Sequence, residues 1–235
     1  MQGHLFGDDS IQSSINGLVY QEGFLSTQEE RELIDVIRSL PLHAARYKQY
    51  LARRRVASFG GSYDFDANRL LPGVPLDLRL HPLREKVARW IGHPPEDLVH
   101  ALVAEYAPGT PLGWHRDVPH FETIVGVSLG GCATLKFHPY PDEPAARKVV
   151  QLEVAPRSIY KMASEARWEW QHSVALTAQL RWSITFRTRV AKSSSRTSAA
   201  PQASPLFVGN ERDAISEMSD GKVVQSQLQH HHTAK

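Results

Sequence analysis

From residue 98 to residue 190 the chain is a series of short β-branched segments separated by turn residues: LVHALVAEYAPG, ETIVGVSLGG, ATLKFHPY, KVVQLEVAP, SIYKM and LRWSITFRT. An extended segment leaves its backbone donors and acceptors unsatisfied unless it pairs. The intervening Gly and Pro supply the reversals of antiparallel pairing. Strands at this spacing predict a sandwich or barrel, of which the jelly roll is one form. Two helical signatures come first. In FLSTQEERELIDVIRSLP, Ser26 and Glu29 have capping-box spacing, Leu33, Ile37 and Leu40 share a face, and Pro41 ends the run. In HPLREKVARWIG, Leu83, Val87, Trp90 and Ile91 lie on one side and Gly92 caps the C-terminus. The expected fold is mainly β with flanking helices that brace an outer sheet. Between the helices, RRRVASFGGSYDFDANR alternates weakly around Gly60-Gly61 and reads as a hairpin or flexible loop carrying Phe59, Tyr63 and Phe65.

One segment carries chemistry. In PLGWHRDVPHF, His115 and Asp117 stand two positions apart at the start of an extended run, so both point to one face. A His-x-Asp pair needs a third ligand to hold a metal, and His172 in RWEWQHSVAL is the candidate, with His120 and His138 as rivals. Two imidazoles and one carboxylate form the facial triad of non-haem Fe(II) oxygenases, which leaves positions open for a cosubstrate and O2. A cupin-like binding protein or a zinc hydrolase could use the same three ligands. The strand RWSITFR weighs against both. It sets Arg181, Ser183, Thr185 and Arg187 on one face, and Trp182, Ile184 and Phe186 on the other. The apolar face packs, so the guanidiniums lie inside the barrel, where unpaired charge is costly. Each needs an anion, either a dicarboxylate beside the metal or an Asp or Glu of the same domain.

Composition sets the surroundings. With 41% hydrophobic and 22% charged residues the chain reads as an ordinary soluble protein. No apolar run reaches membrane-spanning length, and MQGHLFGDDSIQ lacks the features of a secretory signal. The lone cysteine, Cys132, excludes an intrachain disulfide and reads as a small buried apolar residue. A reducing, cytoplasmic setting is expected. Net charge is only +2, but residues 43–89 hold ten Lys or Arg against four acids, an excess that suits a phosphate-bearing partner. Residues 191–235, serine-rich and aperiodic, are expected to be a disordered tail.

Together, EYAPGTPLGWHRD, VSLGGCATLKF, RWEWQHSV and RWSITFR resemble the AlkB-like branch of the Fe(II)/2-oxoglutarate-dependent dioxygenases. The likeness covers most of residues 15–188, including FLSTQEE and RRRVASFGGSYDFD. It implies a dioxygenase domain over 1–190, with helices and a nucleotide-recognition lid in 15–97 and a double-stranded β-helix, or jelly-roll, core in 98–190. His115, Asp117 and His172 would ligate Fe(II). Arg181, helped by Tyr106, would take the distal carboxylate of 2-oxoglutarate, with Ser183 and Thr185 on the same strand and Arg187 nearer the keto-acid end. The implied reaction consumes O2 and 2-oxoglutarate, yields succinate and CO2, and removes a methyl group from a nucleic-acid base as formaldehyde. Tyr63, Phe65 and Trp114 are candidates to stack on an extruded base, and Arg53, Arg54 and Arg55 to hold phosphates. Three positions depart from the DNA-repair members: Ala104 and Ser183 replace Asn, and Pro119 replaces a carboxylate near the base. The segments WHRDVPHFETIVGVSLG and RWEWQHSV look closer to the cytosolic and RNA-directed relatives. The expectation is a monomeric cytoplasmic oxygenase acting on alkylated DNA or RNA, the alternative target being a protein side chain or a small molecule.

Overall fold

A computed structural model describes residues 11–12, 14–47, 50–64, 69–141 and 149–190. Its N-terminal half contains β1 (Ile11–Gln12), β2 (Leu18–Gln21), α1 (Thr27–Ser39), β3 (His43–Tyr47), β4 (Tyr50–Phe59), β5 (Gly61–Asp64), β6 (Arg69–Pro72) and α2 (His81–Ile91). There follow β7 (Leu98–Tyr106), β8 (Leu112–His115), β9 (Phe121–Gly130), β10 (Ala133–Pro139), β11 (Val150–Val154), β12 (Ile159–Met162), α3 (Ser164–Trp168), β13 (Trp170–Val174) and β14 (Arg181–Arg189). From β7 onward the strands divide between two antiparallel sheets. The larger has the order β1-β2-β12-β9-β14-β7-β4-β3, and the smaller β11-β10-β13-β8. This is the jelly roll anticipated from the strand spacing.

Both helices begin and end as their sequences require. The Ser26 hydroxyl accepts from the Glu29 amide at 3.1 Å while the Ser26 amide donates to the Glu29 carboxylate at 2.7 Å, a reciprocal cap worth about 1 kcal/mol. Gly92 closes α2 at φ 72°, a left-handed conformation that suits glycine. Leu33 and Ile37 of α1, with Leu83 and Val87 of α2, pack in one cluster with Val125, Val127 and Leu129 of β9 and Trp182, Ile184 and Phe186 of β14. Ile184 and Phe186 are fully buried, each contributing about 1.5–3 kcal/mol. The alternation of β14 thus commits its apolar face to the helices and turns Arg181, Ser183, Thr185 and Arg187 into the barrel.

One expectation needs correcting. The run Arg53–Phe59, expected in a hairpin or flexible loop, is part of a ten-residue strand, β4, which joins the large sheet between β3 and β7. Three successive arginines obscure its alternation, yet Val56, Ala57 and Phe59 are all buried. The hairpin is confined to β5 and β6, which pair only with each other among the described residues. Gly60 makes the turn into it at φ 78°, and a side chain there would strike the Val99 carbonyl. Phe65 and the 191–235 tail lie outside the described residues, and so does the side chain of Tyr63. Cys132 is exposed, not buried, because it occupies the reversal between β9 and β10. No helix among the described residues is long and apolar enough to cross a membrane.

Candidate active site

Strand pairing brings the first two candidate ligands together. β8 and β13 run antiparallel with His115 opposite His172, and their ring centroids lie 4.2 Å apart. Asp117, two residues beyond His115, places its Oδ2 4.0 Å from His172 Nε2. The His115 Nδ1–H donates to the Gly113 carbonyl at 2.9 Å, which leaves Nε2 with its lone pair free. Burial pushes both imidazoles down, His172 to about 3 with further lowering from His115, so both are neutral at pH 7. Burial alone would raise the Asp117 carboxyl, but Arg187, then His172 and Arg167, hold it well below the usual carboxylate range.

One arginine fixes that carboxylate, and a second fixes the backbone that carries it. Arg187 donates through Nε and Nη2 to Asp117 Oδ1 at 2.9 and 2.7 Å, leaving Oδ2 facing His172. Arg187 was expected nearer the keto-acid end of the cosubstrate; the structure shows its Nε and Nη2 paired with the protein's own acid. Arg167, on α3, was assigned no role from sequence. It is buried and donates to the carbonyls of Phe121 (3.0 Å), Val118 (2.8 Å) and Asp117 (3.2 Å), which pins the turn after β8.

Can these groups hold a metal? Neutral imidazoles and an ionised carboxylate are the donor set of a facial Fe(II) site. The 4.0 Å between Nε2 and Oδ2 exceeds the roughly 3 Å expected of two adjacent ligands with bonds near 2.1 Å. Accordingly, among the described residues no three His, Cys, Asp or Glu side chains are drawn in tightly enough to grip an ion. The donors fit in kind, and gripping an ion requires about 1 Å of inward movement.

Beside this cluster the inner face of the large sheet is built from small residues. Thr185 pairs with Gly126, Ser183 with Ser128 and with Ala104, and Arg181 with Gly130 and with Tyr106. Arg181 is 1% exposed, its Cζ lies 5.1 Å from the Tyr106 ring centroid, and its Nε donates to Ser128 Oγ at 3.1 Å. Its Nη1 is buried with no partner. An unsatisfied donor on a buried cation is costly. A carboxylate of 2-oxoglutarate fits that need, so the residues present suit the cosubstrate.

Tyr160, read only as strand from sequence, lies across Gly126, where any side chain would collide with the phenol ring. Burial pushes its hydroxyl up to about 12, an effect offset in part by Arg181, so it remains a hydrogen-bond donor at this face.

The expected substrate residues divide. Arg53 donates to the Gly109 carbonyl, and Arg55 is taken by Glu105 and the Leu42 carbonyl. Arg54 has the opposite orientation, on the same face of β4 as Val56, which packs with Ala104 and Tyr106. Its Nε is buried and unpartnered, and its charge helps lower the His115 pKa. Trp114 is not brought to the metal-side cluster. Strand alternation turns it to the other face of β8 from His115, where it stands edge-on to His138 at 4.4 Å. That contact also removes His138 as a rival ligand, and His120 is exposed on the turn before β9.

Comparison with known proteins agrees with this geometry. The model of the 2OG-Fe(II) oxygenase superfamily matches residues 17–187. The chain is 27% identical over 168 residues to the Mus musculus tRNA (carboxymethyluridine(34)-5-O)-methyltransferase ALKBH8, a match covering 67% of this chain and 24% of that protein. It is 30% identical over 99 residues to the uncharacterized protein L905 of Acanthamoeba polyphaga mimivirus, covering 37% of this chain and 46% of that one. The chain therefore spans less than half the length of either curated relative. The solved structure of OsALKBH1 superposes with a TM-score of 0.62 at 14% identity, covering 77% of this chain and all of that one. With the jelly roll and the unpartnered Arg181 already in place, the match over residues 17–187 decides the family. The chain belongs to the 2OG-Fe(II) oxygenase superfamily and has AlkB-like relatives, and that family implies Fe(II), 2-oxoglutarate and O2.

Proposed function

We propose that His115, Asp117 and His172 hold the Fe(II), that Arg181 receives the distal carboxylate of 2-oxoglutarate, and that the enzyme oxidatively demethylates nucleic-acid bases. The observation that carries the site assignment is the buried, unpartnered Nη1 of Arg181 on the barrel face that also bears Arg187 and its partner Asp117. Tyr106 and the protonated Tyr160 complete the carboxylate's surroundings, and Ser183 and Thr185 give a floor of small side chains. Arg187 keeps Asp117 ionised and occupies one oxygen, so the other is left for the metal. Together Fe(II), 2-oxoglutarate and O2 supply oxidation of a C–H bond at the substrate methyl, with succinate and CO2 released. The resulting hydroxymethyl group on nitrogen loses formaldehyde as its C–N bond breaks, which restores the N–H.

Support for a nucleic-acid substrate comes from the basic excess in residues 43–89 and from Arg54, a cation on the inner face next to Tyr106's packing cluster. The mouse relative is named for a tRNA modification, which supports RNA over DNA. An exposed free thiol at Cys132 suits a reducing compartment, and the cytoplasm is the proposed location. The test is formaldehyde and succinate release, with Fe(II) and 2-oxoglutarate, across methylated tRNA, methylated DNA and methylated peptides. Equimolar products with a nucleic acid are expected. Products with peptides alone would overturn the substrate assignment.

A further inference from the structure

His100 has no part in the site described so far, yet it is 8% exposed on the inner face of β7 and touches Arg187. Hydrogen-bond directions settle its tautomer. Arg187 can only donate, so His100 Nδ1, 3.2 Å from Arg187 Nη1, must be the bare nitrogen. Burial, followed by the Arg187 charge, pushes this imidazole down to about 3, so it is neutral and its proton sits on Nε2. That proton is donated to Ser58 Oγ at 3.0 Å, and the Ser58 hydroxyl donates to the Gly61 carbonyl at 2.7 Å. The Phe121 ring lies 5.0 Å from the imidazole and walls it in. Gly61 opens the β5–β6 hairpin, whose root is tightly seated: side chains at Gly60 and Gly73 would strike the backbone of Val99 and Gly61 respectively. Four hydrogen bonds therefore join that root to Asp117 Oδ1: three run donor to acceptor from Arg187 through His100 and Ser58 to the Gly61 carbonyl, and the fourth runs from Arg187 to the carboxylate.

We propose that His100 is a positioning residue for the metal-side carboxylate: it orients the Arg187 fork on Asp117 and, through Ser58, ties that carboxylate to the root of the β5–β6 hairpin. This rests on the reading of Asp117 as a metal ligand. The hairpin carries Tyr63 and is continuous in sequence with Phe65, so the segment expected to meet substrate has a bonded route to the metal carboxylate. Outer partners of ligands typically change metal affinity by about 10- to 100-fold when removed.

The experiment is a Co(II) titration of the full chain, followed by ligand-field absorption, for wild type, H100L, H100Q and S58A. The Gln amide can accept from Arg187 and donate to Ser58, as the imidazole does. H100L is expected to weaken Co(II) binding about tenfold or more and to shift the absorption. H100Q is expected to recover most of both, and S58A to move both in the H100L direction by less. A folded H100L with wild-type affinity and spectrum overturns the proposal, as does an H100Q as weak as H100L. An unchanged S58A beside a weakened H100L overturns the link to the hairpin. Should H100L not fold, H100Q and S58A decide: recovery in the first with weakening in the second upholds the proposal, and any other pairing overturns it. A wild-type chain that binds no Co(II) is a separate failure, that of the metal assignment.

Discussion

Replacing Arg181 by Met should separate stability from cosubstrate binding in opposite directions. Arg181 is 1% exposed, its Nε donates to Ser128 Oγ and its guanidinium lies over the Tyr106 ring. Without cosubstrate its Nη1 has no partner, so the side chain is a buried, incompletely paired cation. Exchanging a buried charge for an apolar side chain of similar length is often neutral to stabilising by about 1–4 kcal/mol. Loss of the Ser128 contact returns about 1 kcal/mol of that. The cosubstrate-free R181M protein should therefore melt no lower than wild type. Losing the buried charge pair with the carboxylate, by contrast, should cost about 2–5 kcal/mol of binding, a rise in Kd of at least about 30-fold. At a 2-oxoglutarate concentration 100 times the wild-type Kd, ligand stabilisation is about 2.7 kcal/mol for wild type and falls to about 0.9 kcal/mol for the variant. For a domain of this size the difference is about 4–7 °C in the ligand-induced Tm shift. The assay is a thermal melt with redox-inert Mn(II), with and without 2-oxoglutarate. An R181M protein that keeps the full shift would refute the carboxylate assignment. One that unfolds several degrees early without cosubstrate would show the arginine to be a structural tie.

Other expectations follow from the same contacts. H115A and D117A should abolish succinate formation and metal binding while retaining the far-UV circular dichroism of wild type; turnover in either excludes that residue as a ligand. R167K should weaken metal binding and lower Tm, because an ammonium cannot reproduce a fork onto three carbonyls spread over 117–121; wild-type behaviour would show that the fork is dispensable. The metal-free protein should also lose stability in mild acid. His100 and His172 are both depressed from 6.5 to about 3, so between those values the unfolded chain binds more protons than the folded one. Stability should be full above about pH 7 and decline as pH falls through 6.5 towards 3. A urea midpoint unchanged between pH 7 and pH 5 would contradict the neutral, buried state of both rings.

Much of this molecule was legible before any coordinates, and what was not shares a physical cause. Helix caps, the two faces of β14 and the His-x-Asp spacing are local patterns, readable from residues two to four apart. The pairing of His115 with His172 depends on strand register across 57 positions, and a third ligand could only be nominated until β8 met β13. Arg187 shows the limit clearly. Its strand position was evident, but its partner, Asp117, lies 70 residues away. Arg54 differs from Arg53 and Arg55 only by alternation on β4, which was legible once the segment was known to be a strand. Tyr160 and His100 carry no motif at all. Each gains its significance from what β9, β14 and the hairpin root bring opposite it.

The most direct test of the site is a crystal structure of the protein with Mn(II) and 2-oxoglutarate, using anomalous scattering to locate the metal. The expected result is a single metal peak bonded to His115, Asp117 Oδ2 and His172, with the distal carboxylate of the cosubstrate on Arg181 Nη1. A metal bound elsewhere, or a cosubstrate whose carboxylate leaves Arg181 untouched, would contradict it.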